Sequence, residues 1–478
     1  MKRSILFACS GLISVLVTAQ TSNIAWGATM DCNSAGQGAL RPRITINGDG
    51  NPIVLWGDVA PNRNYVAIGN GTGFSAPVEV STSGCVPAVA DWMGSSIASV
   101  GNTVWVVMKA TPEESRPLYV RRSDDGGTTW GDTLRVEPVD GLVSRFPSIG
   151  AVVGDDPVVQ YMQFDSGYYG ARQVVAHMMG GGFMPPVQVS SPYAPGDVCD
   201  CCPNQIVMDD DHAVALYRNA GSNLRVLWGA SSSDGGMTFP AGGLMDTTGW
   251  FFSACPSSGP DGYLDGDSIR YVWMSGASNG NKVYIGNALV SDLSLGVQRN
   301  VHPGQPQLLQ QNFPRIAGRG DTLGVVWQQS ANGQHEILFS WSVTGPEGCS
   351  APDTVNTELT GPQKTPDIAY ADGAFHLVWG EYGTGQVRYR KASLVNTQGV
   401  QAYPALEQFA AWPNPVNEEL RIIGATSQPV EIMDASGRTV LRARTQGERI
   451  DVRALAPGWY TCLLGSNGSA RPIPFLKN

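Results

Sequence analysis

Along this chain, apolar residues come in short β-branched and aromatic runs that Gly, Asn and Asp interrupt before a helical period can establish itself. The pattern predicts strands joined by tight turns throughout. One unit recurs: a Pro opens a strand, a Gly/Asp turn follows, and a second strand ends in an aromatic. RPRITINGDGNPIVLWGD shows it from Arg41 to Asp58, and RFPSIGAVVGDDPVVQYMQF repeats it from Arg145. Equivalent units begin near Cys85, Cys201, Ala254, Phe313 and Thr365. The anchoring prolines are Pro42, Pro87, Pro147, Pro203, Pro256, Pro314 and Pro366. Their spacing of roughly 45–60 residues is that of four-stranded propeller blades. Third and fourth strands such as LYVRRS and MPPVQV complete the units. Sheets of this kind cannot bury their apolar faces alone, so neighbours must stack around an axis. The expected fold is therefore all-β, a β-propeller of seven blades, or of six if a short terminal unit is not a blade.

Composition agrees. With 58 Gly, 32 Pro and only 15% charged residues, the chain is rich in turns and poor in surface helices. A net charge of −10 disfavours nucleic acid and anionic membranes as partners, since both need clustered Lys and Arg. The N-terminus pairs Lys2 and Arg3 with an apolar run from Ile5 to Val17 and a small-residue site at Val17-Thr18-Ala19. It reads as a secretory signal peptide of residues 1–19, with a second cleavage option after Gly27. The run is too short to span a bilayer, and no membrane insertion is expected elsewhere.

Two stretches carry a narrower signal. Ser123-Asp124-Asp125-Gly126-Gly127-Thr128-Thr129-Trp130 and Ser232-Ser233-Asp234-Gly235-Gly236-Met237-Thr238-Phe239 both spell S-x-D-x-G-x-T-aromatic. They resemble the Asp-box of sialidase-like (BNR-repeat) propellers, which lies between third and fourth strands on the face opposite the active site. After Tyr403 the pattern changes. Pro413-Asn414-Pro415, Asp434-Ala435-Ser436-Gly437-Arg438, Leu455-Ala456-Pro457-Gly458-Trp459-Tyr460 and the terminal Lys477 resemble the type A C-terminal sorting domain of the type IX secretion system. That resemblance implies a small Ig-like β-sandwich read by the secretion machinery. It also implies passage through the periplasm to the outer-membrane surface or beyond. The organisation expected is a propeller over residues 30–398, a linker over 399–407 and the sorting domain over 408–478.

In a propeller, the loop entering each innermost strand and the loop leaving the second strand share one face. Arg41, Arg43, Cys85, Arg145, Cys202, Cys255, Arg315 and Asp367 should therefore ring the channel mouth, joined by Asp58, Lys109, Asp165, Arg218, Glu381 and Tyr382. Arginines, carboxylates and Tyr together suit an acidic or hydroxyl-rich ligand. The sialidase resemblance implies an arginine clamp from Arg43, Arg145, Arg218 or Arg315, a carboxyl acid such as Asp58, and Glu381 with Tyr382 as the nucleophile pair. The chain departs from that family where Arg43-Ile44 is followed by Thr45 rather than Pro. Adjacent residues 381 and 382 would also point apart in a continuous strand. The function expected is recognition of extracellular glycans or glycoconjugates. If a bond is cleaved, the protein is a glycoside hydrolase or a polysaccharide lyase. The rival readings are a non-catalytic adhesin and a cysteine-cluster metal protein.

That last reading comes from DVCDCCPNQIV, which crowds Cys199, Cys201 and Cys202 onto one loop, with Cys255 opening the next unit. Export favours disulfides, first of all Cys201 or Cys202 with Cys255. The alternative is a thiolate cluster of Cys199, Cys201, Cys202 and Cys255 selecting copper or zinc.

Overall fold

The computed structural model describes residues 22–60, 62–152, 156–190, 194, 196–209, 211–303, 309–331, 334–396, 411–422, 425–464 and 471–478. The expected signal peptide (1–19) and linker (399–407) lie outside them. The described chain forms two units, one from Ser22 to Asn396 and one holding the C-terminal residues.

In the larger unit, among the described residues, the strands form successive antiparallel meanders, numbered as sheets 1 to 7; sheets 5 and 6 are joined where Gly280 and Asn281 run parallel to Leu309 and Gln310. Sheet 1 contains Leu40–Ile46, Pro52–Asp58, Arg63–Ile68 and Val78–Glu79. Sheet 2 follows with Ser96–Val100, Thr103–Lys109, Leu118–Ser123 and Leu134–Arg135. Sheets 3, 4, 5 and 6 open with inner strands Val143–Gly150, Gln205–Met208, Asp261–Asp265 and Leu309–Arg319. Sheet 7 takes Gln363–Ala371, Ala374–Glu381 and Gln386–Asn396, and its outer strand is the N-terminal Ser22–Trp26. Ser22 pairs with Asn396 and Trp26 with Ala392, so the first described strand closes the last sheet. This clasp precedes the residue-30 start expected from sequence. It survives cleavage after Ala19 but not after Gly27.

Second strands are sandwiched between neighbouring sheets and so are apolar almost continuously; Ala374–Glu381 is buried along its whole length. Trp56, Tyr161, Tyr217, Trp273, Trp327 and Trp379 fill the wedges as fully buried aromatics. Each such side chain contributes about 1.5–3 kcal/mol or more by leaving water. The cores run between sheets. Ile53 and Leu55 pack with Val104 and Val106, Val326 and Phe339 with Leu377 and Trp379, and Val378 and Val387 with Val54 and Trp56. The last of these joins sheet 7 to sheet 1 and closes the wheel.

Both S-x-D-x-G-x-T turns lie between third and fourth strands, in sheets 2 and 4. Asp125 accepts from the Thr129 N–H at 2.8 Å and its hydroxyl at 2.6 Å. Asp234 repeats both bonds with Thr238 at 2.9 and 2.6 Å. Gly126 and Gly235 take φ of 69° in each turn, where a side chain would be strained. Asp125→Ala and Asp234→Ala should each cost about 1 kcal/mol, additively because the turns do not touch. Denaturation of the single and double variants checks this.

The C-terminal unit is a two-sheet sandwich. One sheet holds Ala411–Trp412, Glu419–Ile422 and Arg449–Asp451. The other holds Pro429–Asp434, Thr439–Arg444, Gly458–Leu464 and Arg471–Lys477. Leu420, Ile432, Cys462 and Phe475 form its buried core. Asp434 folds the Asp434–Arg438 turn back on itself by accepting from the N–H groups of Ser436 and Arg438.

Candidate functional site

After four of the entering prolines a local register shift turns the next residue to the axis. Such shifts fall between Leu40 and Arg43, Arg145 and Ser148, Asn312 and Arg315, and Lys364 and Asp367. Within each, the residue before Pro is left-handed: Arg41 (φ 45°), Phe146 (51°), Phe313 (50°) and Thr365 (48°). Four such non-glycine residues, each carrying about 1 kcal/mol or more of strain, persist only where packing holds them. Two expected anchors are corrected here. In sheet 5 it is Pro260, not Pro256, that enters the strand, and it delivers Asp261 to the axis. In sheet 2 the strand starts at Ser96, while Pro87 bridges Ala110 further out. Cys85 and Cys255 therefore do not open inner strands as expected.

At the axis Arg315 Nε meets Asp367 at 2.6 Å and Nη1 meets Asp261 at 3.3 Å. The same carboxylates stitch sheets together. Asp261 accepts from the Ile316 N–H at 2.8 Å, and Asp367 from the Ile44 N–H at 2.9 Å. Ser148 takes the Ile206 N–H in like manner. Beside this network lies a cup of about 330 Å³ lined by Arg41, Arg43, Asn204, Phe313, Arg315 and Thr365. Tyr382 stands next to it, its hydroxyl 3.2 Å from that of Thr365. The segment Asp91–Gly94 borders the cup: Arg41 Nη1 donates to Trp92 O at 3.1 Å, and Lys364 reaches Asp91 at 3.2 Å.

Three guanidiniums thus face two carboxylates, leaving one positive charge in excess. Arg43 is only 6% exposed, and its one hydrogen bond among the described residues goes to the carbonyl of Pro42. Burial, then the neighbouring Arg315, lowers it to about 10, so it stays charged at neutral pH. Arg41 Nε is buried without a partner. Burial pushes the Asp261 carboxyl up to about 6 against the pull of Arg315.

The other expected site residues lie apart from this cup. Arg145 pairs with Glu113 at 2.6 Å and stacks near Trp92, Phe146 and Tyr168. Tyr168 donates to Glu114 at 3.0 Å. Arg218 is 1% exposed and spends its donors on the carbonyls of Arg225, Met274 and Ser258; it is a structural tie between sheets 4 and 5. Asp58 caps the N–H of Ala60. Glu381 and Tyr382 point apart, and Glu381 opens instead onto a separate cavity of about 510 Å³ with Glu358, Trp379 and Arg388. Burial raises its carboxyl, while Gln363 donates to both oxygens.

The cysteine cluster resolves into two disulfides, Cys199–Cys202 and Cys201–Cys255. A copper or zinc ion would need these sulfurs reduced. Cys32, Cys85, Cys349 and Cys462 are unpaired. Asp261 is the axial residue that the sequence reading missed, whereas Arg41 stands at the channel mouth as expected. The Pro-Asp step shared by Pro260-Asp261 and Pro366-Asp367 is the signal that could have placed Asp261.

Residues 410–471 match the secretion system C-terminal sorting domain family. The protein is accordingly exported to the cell surface or beyond, with the type IX machinery as a partner. No curated protein matches the sequence. In fold, the chain is similar to a polysaccharide lyase of family PL25, an ulvan lyase, at 10% identity and TM-score 0.50. The match spans 78% of this chain and 96% of that one. It is also similar to PorZ of Porphyromonas gingivalis, a bacterial surface component of the type-IX secretion system. There the values are 12% identity and TM-score 0.41 over 93% of this chain and 60% of that one. An α-L-arabinanase of Penicillium chrysogenum gives 13% identity and TM-score 0.42 over 77% and 98%. At such identities the likeness concerns the β-propeller fold.

Proposed function

We propose that this exported propeller recognises anionic extracellular glycans, taking a carboxylate or sulfate group into the axial cup. The observation that carries this reading is Arg43, a buried cation lining the cup with one neutral acceptor for its five donors. A buried charge so poorly matched favours an anionic partner. Bidentate hydrogen bonding by guanidinium selects planar or tetrahedral oxyanions. Glu381 lines the separate cavity while the Tyr382 hydroxyl turns to Thr365, so nothing in their arrangement supports a sialidase nucleophile pair.

A second reading, cleavage, draws on the Glu381 cavity, where a carboxyl raised by burial lies with Glu358 and Trp379. A carboxyl that burial makes hold its proton more tightly is shifted in the direction a general acid requires.

Arg43→Gln should weaken binding of a polyuronate or sulfated oligosaccharide tenfold or more, since charge-assisted hydrogen bonds are worth about 1.5–3 kcal/mol. Neutral oligosaccharides should bind weakly to both forms, as titration calorimetry would show. Equal affinity of the variant and the parent for the acidic ligand would sink the proposal. Affinity should also rise as pH falls through about 6, because Asp261 is neutralised there while uronates stay ionised to about pH 3–4.

A further inference from the structure

The loop entering sheet 4 carries three cysteines whose sulfurs are clustered, so that its two disulfides touch rather than standing as separate staples. Cys199 and Cys202 are bonded to each other and buried at 0% and 1% exposure. Cys201 is half-buried and bonded to Cys255, which is exposed. Cys201 Sγ stands 3.6 Å from Cys199 Sγ, about van der Waals contact. The three loop sulfurs all lie within 4.8 Å of one another. A single bond from Cys201 to Cys255 would suffice to tie the loops entering sheets 4 and 5. The second bond, confined to one loop, adds little to that tie, because it spans a sequence separation of only 3.

An independent observation concerns the middle sulfur. Arg225, 8% exposed, directs Nη1 at Cys199 Sγ from 3.4 Å, while its Nε is held by the carbonyl of Phe252 at 2.9 Å. A disulfide sulfur is a weak acceptor, so a buried guanidinium gains little from it in the resting state. It gains far more when a thiolate is formed or consumed on a sulfur bonded to Cys199, as happens at Cys201 and Cys202 during thiol–disulfide exchange.

We infer that Cys255, Cys201, Cys199 and Cys202 form a thiol–disulfide relay that oxidises an external thiol at the surface and stores the resulting electrons inside. An external thiolate attacks Cys255 Sγ, the Cys201–Cys255 bond breaks, and Cys201 leaves as a thiolate. Freed from Cys255, Cys201 swings into line with the Cys199–Cys202 bond and attacks Cys199 Sγ, which starts 3.6 Å away. A Cys199–Cys201 bond forms, the Cys199–Cys202 bond breaks, and Cys202 leaves as a thiolate and takes a proton. A second external thiol attacks the external sulfur of the mixed disulfide and releases Cys255. The balance is two external thiols oxidised to one disulfide, and two protein thiols formed, at Cys202 and Cys255. Arg225, set against the central Cys199, stabilises the negative charge that passes from Cys201 to Cys202 in the inner step.

The test treats the full-length protein with limiting dithiothreitol, quenches in acid, alkylates free thiols and maps them by peptide mass. The relay predicts thiols at Cys202 and Cys255 with Cys199 bonded to Cys201. Thiols at Cys201 and Cys255 with Cys199–Cys202 intact would overturn it. Cys255→Ser, without any reductant, should spread alkylation between Cys201 and Cys202 as the inner bond isomerises. Alkylation of Cys201 alone would count against the relay. Arg225→Met should slow the inner exchange about tenfold, and an unchanged rate would equally overturn the assignment. Circular dichroism of each variant confirms that the folded protein is being read.

Discussion

Replacing Asp367 with Ala is expected to destabilise the propeller by about 3–5 kcal/mol, the usual effect of removing one partner from a buried ion pair. The side chain is 4% exposed. One oxygen holds Arg315 at 2.6 Å and the other accepts the Ile44 N–H at 2.9 Å. The first bond balances charge at the axis, and the second crosses the seam between sheet 7 and sheet 1. With Ala in place, the Ile44 N–H loses its acceptor, and Arg315 keeps one carboxylate, Asp261 at 3.3 Å, and the Gln205 amide oxygen at 3.2 Å. Asp367→Asn should be milder, because its amide oxygen still accepts from Ile44. Against a total stability of about 5–15 kcal/mol, the Ala variant should unfold at markedly lower denaturant. A loss below about 1 kcal/mol would mean that the axial network does not hold the ring closed.

Arg218→Ala should be comparably damaging, by about 3 kcal/mol or more, and damaging in a different way. Arg218 donates to three main-chain carbonyls, at 2.7 Å to Arg225, 2.7 Å to Met274 and 3.3 Å to Ser258. Its guanidinium carbon also sits 5.6 Å from the Trp250 ring centre. Burial lowers it to about 10, so it remains a cation at neutral pH. Truncation leaves three buried acceptors unpaired. Arg218→Lys should not rescue it, since a single ammonium cannot reproduce the planar fork. The fraction that remains folded should bind acidic oligosaccharides as the parent does. A stable Arg218→Ala variant that had lost glycan binding would return Arg218 to the site.

The wheel itself was legible because its repeat is written in residues with strong local meaning. Pro42, Pro147, Pro203, Pro314 and Pro366 enter inner strands where expected. The two S-x-D-x-G-x-T turns fall between the third and fourth strands. The C-terminal motifs fold into the expected sandwich. What sequence reasoning missed involves register and long-range pairing. ACPSSGPDG offers two prolines four positions apart, and only packing against Pro203 at Gly259 distinguishes the one that turns its neighbour inward. The residues before Ser96 look like one more entering strand, yet they lead to a loop whose Trp92 lies against Phe146, 5.6 Å between ring centres. Arginines expected to form one ring divide by partner. Arg145 finds Glu113, Arg218 finds carbonyls, and Arg315 finds two aspartates, while among the described residues Arg41 and Arg43 find no carboxylate of their own. Spacing along the chain cannot reveal which cation is left uncompensated, because that depends on carboxylates delivered by other sheets.

The clasp of Ser22–Trp26 on Gln386–Asn396 also bears on biogenesis. The earliest mature segment to emerge during synthesis must wait for nearly the latest propeller segment before its backbone finds a partner. Bringing such distant segments together is entropically slow. Until then the nascent chain presents an unpaired strand edge, which invites association with other chains. Handling in transit, rather than equilibrium stability, is therefore where small changes near Ser22 should tell most strongly on yield.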